Sequence, residues 1–423
     1  DATPATGNTF SGNIRITAGT VRFTAQEQLG IASGYVTDYA PATAWGNGND
    51  IVLDGGALEY AGTGALSFWV PCDFPVWKTY LRNVYVEPAG GTLNVSSATG
   101  ILRLEAYDGL QGTGNLTKTG AGTLDVRPSN PHFTGNLTIG EGVVRTFGQA
   151  ANGWPSPLGT GTITIGNGTA DASLLADNPV TLVNPIVISG GGGGRTLGTT
   201  TAGTAGMAAH TGTSTLSGGV TLNANLSIPV VAGTTLAVSG GVSGTGGFTK
   251  SGTGLLQLSG TNGYFGNTVI ADGELELQSG ATLPNTALIH LTAPPAVLDV
   301  SASGLTLGTG QTLKGVGQYV GPVIVGSGSI IAPGSSVGTL TGVTETWDGG
   351  TFGFEINDAV GGAGIGWDQL VLSDALSLTA APFHVKIVSL DGAGDPGLAA
   401  NFSMSTPYSW LMVDTANGVS GFM

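Results

Sequence analysis

The 423-residue chain has a single cysteine, Cys72, so no intramolecular disulfide can staple it. Cys72 sits in an aromatic-rich segment and reads as a buried thiol. Charge is scarce: 9% of residues are charged, against about 25% in an average globular protein. Positive charge is scarcer still. Twelve basic residues face 27 acids, for a net charge of −15. That balance excludes a nucleic-acid partner, which needs basic patches to displace counterions from phosphate. It equally excludes a polybasic membrane-surface protein. Only four histidines occur, His132, His210, His290 and His384. None has a His or Cys partner at metal-ligand spacing. No apolar run is long enough to cross a membrane as a helix. Asp1 opens a polar stretch, as expected of a mature or trimmed chain.

What the chain does have is glycine, 75 residues of it, embedded in Thr, Ser, Ala, Val and Leu. With 40% hydrophobic residues and a mean hydropathy of +0.24, it is too apolar to stay disordered. Segments such as Gly161-Thr162-Ile163-Thr164-Ile165-Gly166 and Thr234-Thr235-Leu236-Ala237-Val238-Ser239 alternate apolar and polar residues with period two. No window carries a capped apolar stripe of helical period. Residues 24–32 and 395–402 allow a short helical turn at most.

Internal repetition is explicit. The stretch from Gly112 to Leu124 (Gly-Thr-Gly-Asn-Leu-Thr-Lys-Thr-Gly-Ala-Gly-Thr-Leu) returns from Gly244 to Leu256. The copies stay aligned through Val126/Leu258 and Asn130/Asn262. After a one-residue difference in a turn they continue through Gly135/Gly266, Asn136/Asn267 and Gly142/Gly273. A half copy, Phe10 to Gly19, matches Phe133 to Gly142, which leads us to expect repeat-like sequence before Asp1 in a precursor. Short strands, frequent turns and repeats favour a stack of coils whose inward side chains form one apolar column. Glycine would occupy the corners, where positive φ is needed.

This unit, with Asn130, Phe133-Thr134-Gly135-Asn136 and Gly140-Glu141-Gly142, resembles the autotransporter-associated β-strand repeat of bacterial passenger domains. Leu158 to Gly166 resembles the coil that commonly follows it. Ile331-Ala332-Pro333-Gly334-Ser335-Ser336-Val337-Gly338 resembles the Pro-Gly turn closing such arrays. Phe354 to Asp358, Gly366 to Leu370 and Tyr408-Ser409-Trp410 resemble the end segment of large secreted repeat proteins. The resemblance covers about half of the chain. It implies an all-β, right-handed parallel β-helix (a β-solenoid), exported to the surface or matrix of a Gram-negative-type bacterium and without a catalytic site. No translocator barrel or sorting tail accompanies it in this sequence.

Several constellations invite chemistry. Gly334-Ser335-Ser336-Val337-Gly338 satisfies Gly-x-Ser-x-Gly, which has meaning only between a strand and a helix. Here strand and turn follow, so the Pro-Gly turn reading is preferred. Solenoid polysaccharide hydrolases need carboxylates on neighbouring coils, and the acids here are scattered singly. Between Lys314 and Lys386, Glu345, Asp348, Glu355, Asp358, Asp368 and Asp374 fall with no intervening base. Turn carboxylates of this kind would take Ca²⁺ if any cation; solvated turn acids are the simpler reading. His132 is expected to pack a turn at the place Tyr264 occupies in the other copy. Ten of the 29 aromatics lie within residues 35–85. Tyr35, Tyr39, Trp45, Trp69, Trp77 and Tyr80 would offer a ligand or interface surface, since Tyr and Trp faces stack on sugars and anchor interfaces. The plainer account is a local core for an irregular excursion over about 35–88.

The reading therefore divides the chain into a repeat body, 1–330, and a β-rich C-terminal cap or end segment, 331–423. It expects a secreted or cell-surface structural protein with an adhesive or matrix role and no cofactor. Self-assembly into a filament through open coil ends is the alternative, with surface glycans or matrix as further partners. A carbohydrate-active solenoid ranks last.

Overall fold

The computed structural model describes residues 12–30, 50–70, 80–106, 108–127, 129–147, 156–177, 179–200 and 211–421. It is all-β apart from one 3-10 turn, Gln26–Leu29, among these residues. The expected period-two segments form strands of two to six residues. Two compact units, Asp1–Leu226 and Ser227–Met423, make up the chain.

In the first unit, the early coils lay one strand on each of three parallel sheets, and farther along Thr181–Leu182 pairs with Gly212–Leu216 in another. The first sheet contains Ile14–Ile16, Ile51–Leu53, Val84–Val86 and Leu110–Gly112. The second runs from Thr20–Phe23 through Ala57–Tyr60, Gly91–Val95, Leu116–Thr119, Leu137–Ile139 and Ile163–Ile165 to Ile186–Ile188 and Val220–Leu222. The third contains Ala65–Ser67, Ile101–Leu104, Thr123–Val126, Gly142–Thr146, Ala172–Ala176 and Arg195–Thr199. Pairing is in register, so inward residues stack on inward residues. Leu116, Leu137, Ile163 and Ile186 form one such column, each buried. This is the parallel β-helix that the repeats predict.

The second unit repeats the plan. One sheet runs through Phe248–Ser251, Thr268–Ile270, Leu288–Leu291, Thr312–Gly315, Ile330–Pro333, Thr351–Ile356 and His384–Ser389. A second contains Thr234–Val238, Leu255–Leu258, Glu274–Leu277, Val297–Asp299, Gln318–Val320, Thr339–Gly342, Gln369–Leu372 and Val413–Thr415. The third contains Leu305–Leu307, Pro322–Gly326, Thr344–Asp348, Leu376–Leu378 and Val419–Ser420. Strands beyond residue 331 thus continue the sheets of the strands before it. Residues 395–402 form turns and bends rather than a helical turn.

Glycine at the repeat's corner has two physical reasons. Gly142 adopts φ +72°, the left-handed region that a side chain disfavours. Gly135 does not, yet a Cβ there would lie 1.8 Å from the carbonyl oxygen of Gly114 one coil away. Close coil-on-coil approach, and not only positive φ, fixes these positions.

Candidate functional site

The repeat's own chemistry is structural. Lys118 and Lys250, equivalent in the two copies, both point inward and are fully buried. Lys118 Nζ donates to the carbonyls of Thr119 (3.0 Å), Gly120 (2.7 Å) and, from the next coil, Glu141 (3.0 Å). Lys250 Nζ does the same to Ser251 (3.1 Å), Gly252 (2.6 Å) and Asp272 (3.1 Å). Each ammonium clamps a glycine turn to the coil that follows. Burial lowers the pKa of both to about 8, opposed by Glu141 for Lys118 and by Asp272 and Glu274 for Lys250. Both remain cationic at neutral pH. Arg195 clamps another turn by donating to carbonyls of Ser189, Ala170, Gly194 and Gly168.

Three further arginines are used internally. Ser67, Arg103, Asp125 and Arg145 occupy facing positions on successive coils. Asp125, fully buried, accepts from Arg145 Nε (2.6 Å) and Nη2 (2.7 Å) and from Arg103 Nε (3.3 Å). Arg127 lies 3.7 Å from Asp125 and 3.4 Å from Glu105, with its guanidinium 3.4 Å above the centre of the Phe147 ring. This alternating ladder joins coils as cross-strand charge pairs do. The basic residues of an acidic chain are thus spent largely inside it.

The acids between Lys314 and Lys386 do not converge. Glu345 is buried among Tyr319, whose hydroxyl donates to it, and Trp347, whose Nε1 donates at 2.5 Å. Burial raises its pKa to about 7, with both hydrogen bonds opposing. Asp368, also buried, accepts the backbone N–H groups of Gly338 and Glu355, each at 2.8 Å. Burial again dominates and lifts it to about 8. The expectation of solvated turn acids therefore fails for these two, because their side chains follow the inward row or plug a turn. Asp348, Asp358 and Asp374 each hold a neighbouring Thr or Asn side chain. No group of three or more His, Cys, Asp or Glu able to hold a metal occurs among the described residues.

Carboxylates also meet on neighbouring strands of one sheet. Glu276 faces Asp299, with Glu274 beside them. Glu276 is bonded by Gln257 and Asp299 by the backbone of Ser301. The Gly-x-Ser-x-Gly motif turns between Ile330–Pro333 and Thr339–Gly342, strand to strand, as its neighbours suggested. Ser335 Oγ nonetheless lies 2.7 Å from His290 Nε2, and Lys314 Nζ is 3.4 Å from the Ser335 carbonyl. No carboxylate orients His290 among the described residues. Sequence reasoning missed this contact because residues 290, 314 and 335 share no sequence spacing and meet only through register.

His132 holds a turn as expected, but at the surface: its Nδ1 is 2.5 Å from Asp108 Oδ2. The buried equivalent of Tyr264 is Phe133, since the one-residue difference between the copies falls before the aromatic. Of the aromatic surface residues, Tyr35, Tyr39, Trp45 and Trp77 lie outside the described residues. Trp69 and Tyr80 belong to the antiparallel pairing of Trp69–Val70 with Tyr80–Leu81. Of the other aromatics in this segment, Tyr60, Phe68 and Tyr85 are core residues.

Comparison with known proteins follows the same lines. Residues 5–23, 116–145 and 248–277 match the passenger-associated-transport-repeat, and these span the half copy and most of the two full copies. Over 267 residues, 62% of this chain, it is 30% identical to a protein of Brucella suis biovar 1 (strain 1330), the adhesin BmaC autotransporter. The chain spans only 6% of that protein. No solved structure matches it significantly.

Proposed function

We propose, starting from a secreted or cell-surface β-helix that carries autotransporter passenger repeats, that this chain is an adhesive surface module without catalytic activity. The observation that carries the reading is the 30% identity with an autotransporter adhesin across 62% of the chain. The internal chemistry agrees with it. Lys118, Lys250, Arg195 and the Asp125 ladder all serve to fasten one coil to the next. The module's work would then be to present outward side chains on a stiff scaffold. Beads coated with the chain should attach saturably to host cells or extracellular matrix, and soluble chain should compete. Beads that bind no better than albumin-coated ones would overturn the reading.

A second reading, pairing of copies through the strand His384–Ser389, draws on one feature. The inward row of His384–Ser389 is exposed, with Val385 at 42% and Ile387 at 61%. That strand pairs on one side only, with Thr351–Ile356.

A further inference from the structure

Residues 227–423 hold thirteen carboxylates against three lysines and no arginine. Their cations are not spread at random. Lys250, Lys314 and Lys386, and both histidines, all lie on strands of the same sheet. Lys250 points inward as a clamp; the other four point out. The strands of that sheet carry one carboxylate, Glu355. The strands of the second sheet carry Glu274, Glu276, Asp299 and Asp414, and those of the third Glu345 and Asp348, with no cation on either. Along its strands this sheet of the unit thus sets two outward lysines and two outward histidines against one carboxylate.

Register arranges these outward residues as a line. His290 faces Lys314, which faces Ala332, and the row continues through Gly353 to Lys386. With coils about 4.8 Å apart, Lys314 and Lys386 stand roughly 14 Å from each other. Between them the floor is one methyl group and one bare glycine, so backbone is within reach. His384 stands in the adjacent row, opposite Thr351. Ser335, held by His290 Nε2 at 2.7 Å and by Lys314 through its carbonyl, closes the lower end. Glu355 lies two positions along its strand from Gly353 and bounds the notch on the far side.

We propose that this line binds an acidic polysaccharide, with Lys314 and Lys386 pairing with its carboxylate or sulfate groups and the Ala332–Gly353 floor receiving the sugar between them. The acidic faces would repel a polyanion from every side but this one and so steer it in. A notch one strand wide suits an extended chain rather than the plane of a membrane. The few cations and the net charge of −15 disfavour nucleic acid. This inference rests on the adhesive reading and gives it a ligand class.

The test uses the full chain and its Lys314→Gln/Lys386→Gln variant, both side chains being on the surface. Immobilised heparin, alginate and neutral dextran are the probes, with phosphatidylserine vesicles and duplex DNA as competitors, and attachment to cells is scored in parallel. Salt-sensitive binding to heparin or alginate but not dextran is expected, weakened about tenfold or more in the variant, whose melting temperature should be unchanged. Equal binding by the variant, no binding to either polyanion, or a preference for vesicles or DNA would each overturn the proposal. Cell attachment that persists in any of those cases leaves adhesion standing and removes only this site.

Discussion

At the residue scale, the repeat is defined by polar groups buried for a structural purpose. Lys118 holds three carbonyls from two coils in a place no water reaches. Lys118→Met would fill the volume and leave those acceptors without their ammonium, each such loss costing about 1–3 kcal/mol. A drop in unfolding free energy of about 2–3 kcal/mol is expected by denaturant titration, and a similar one for Lys250→Met. A Lys118→Met protein as stable as the parent would show that the clamp is incidental. Glu345 and Asp368 predict a pH dependence whose sign follows from their burial. Their folded-state pKa values, about 7 and about 8, lie above the ordinary carboxylate range. The folded chain therefore binds more protons than the unfolded chain at intermediate pH, and stability falls as pH rises. The contribution is complete below about pH 4 and disappears as pH climbs through about 7 to 8. Melting temperature should decline from pH 5 to pH 8, and Glu345→Gln with Asp368→Asn should flatten that decline.

At the scale of the element, a corner and not a strand is the unit that repeats. Asn115 Oδ1 accepts the backbone N–H of Asn136 at 3.1 Å, and Asn136 Oδ1 accepts that of Thr162 at 2.9 Å. Asn13 does the same for Asp50 at 3.1 Å. The Gly-Asn pairs at 12–13, 114–115 and 135–136 are thus rungs of a ladder: glycine lets the coils close, and asparagine ties them. Gly135→Ala would drive a methyl group into the Gly114 carbonyl and part the coils, at a cost of about 2 kcal/mol or more. Because each coil touches only its neighbours, hydrogen exchange should show protection lost around residues 112–166 and kept elsewhere in the first unit. This corner was legible in the sequence because Gly-Asn before an apolar residue recurs at Gly12-Asn13-Ile14, Gly114-Asn115-Leu116 and Gly135-Asn136-Leu137. The buried lysine was equally visible, present in both copies, although its inward direction was not. What the sequence hid is everything made by register between coils of unequal length. Asp125 meets Arg103 and Arg145 across gaps of 22 and 20 residues, and His290 meets Ser335 across 45. No fixed spacing marks such pairs, and the outward line of Lys314, Gly353 and Lys386 is invisible until the strands are stacked.

At the scale of the whole molecule, a β-helix coil is satisfied only when covered on both sides. In the second unit the strands His384–Ser389, Val413–Thr415 and Val419–Ser420 each stand last in their sheets. Val385 and Ile387 continue the inward row of Phe352 and Phe354, both fully buried, yet lie in the open. Two apolar side chains beside an unpaired strand edge are what a further coil would cover, and edges of this kind template pairing with another chain. Where these 423 residues are studied alone, a second copy is what can supply such a coil. Sedimentation velocity should therefore show concentration-dependent association of the parent chain. Val385→Lys with Ile387→Lys should abolish it, since inward-pointing charges block edge pairing. The substitutions remove little buried area, so the melting temperature should change by only a few degrees. Association that persists in the double variant would place the contact elsewhere. A parent chain monomeric at high concentration would mean that the edge is too short and too twisted to pair with a second copy.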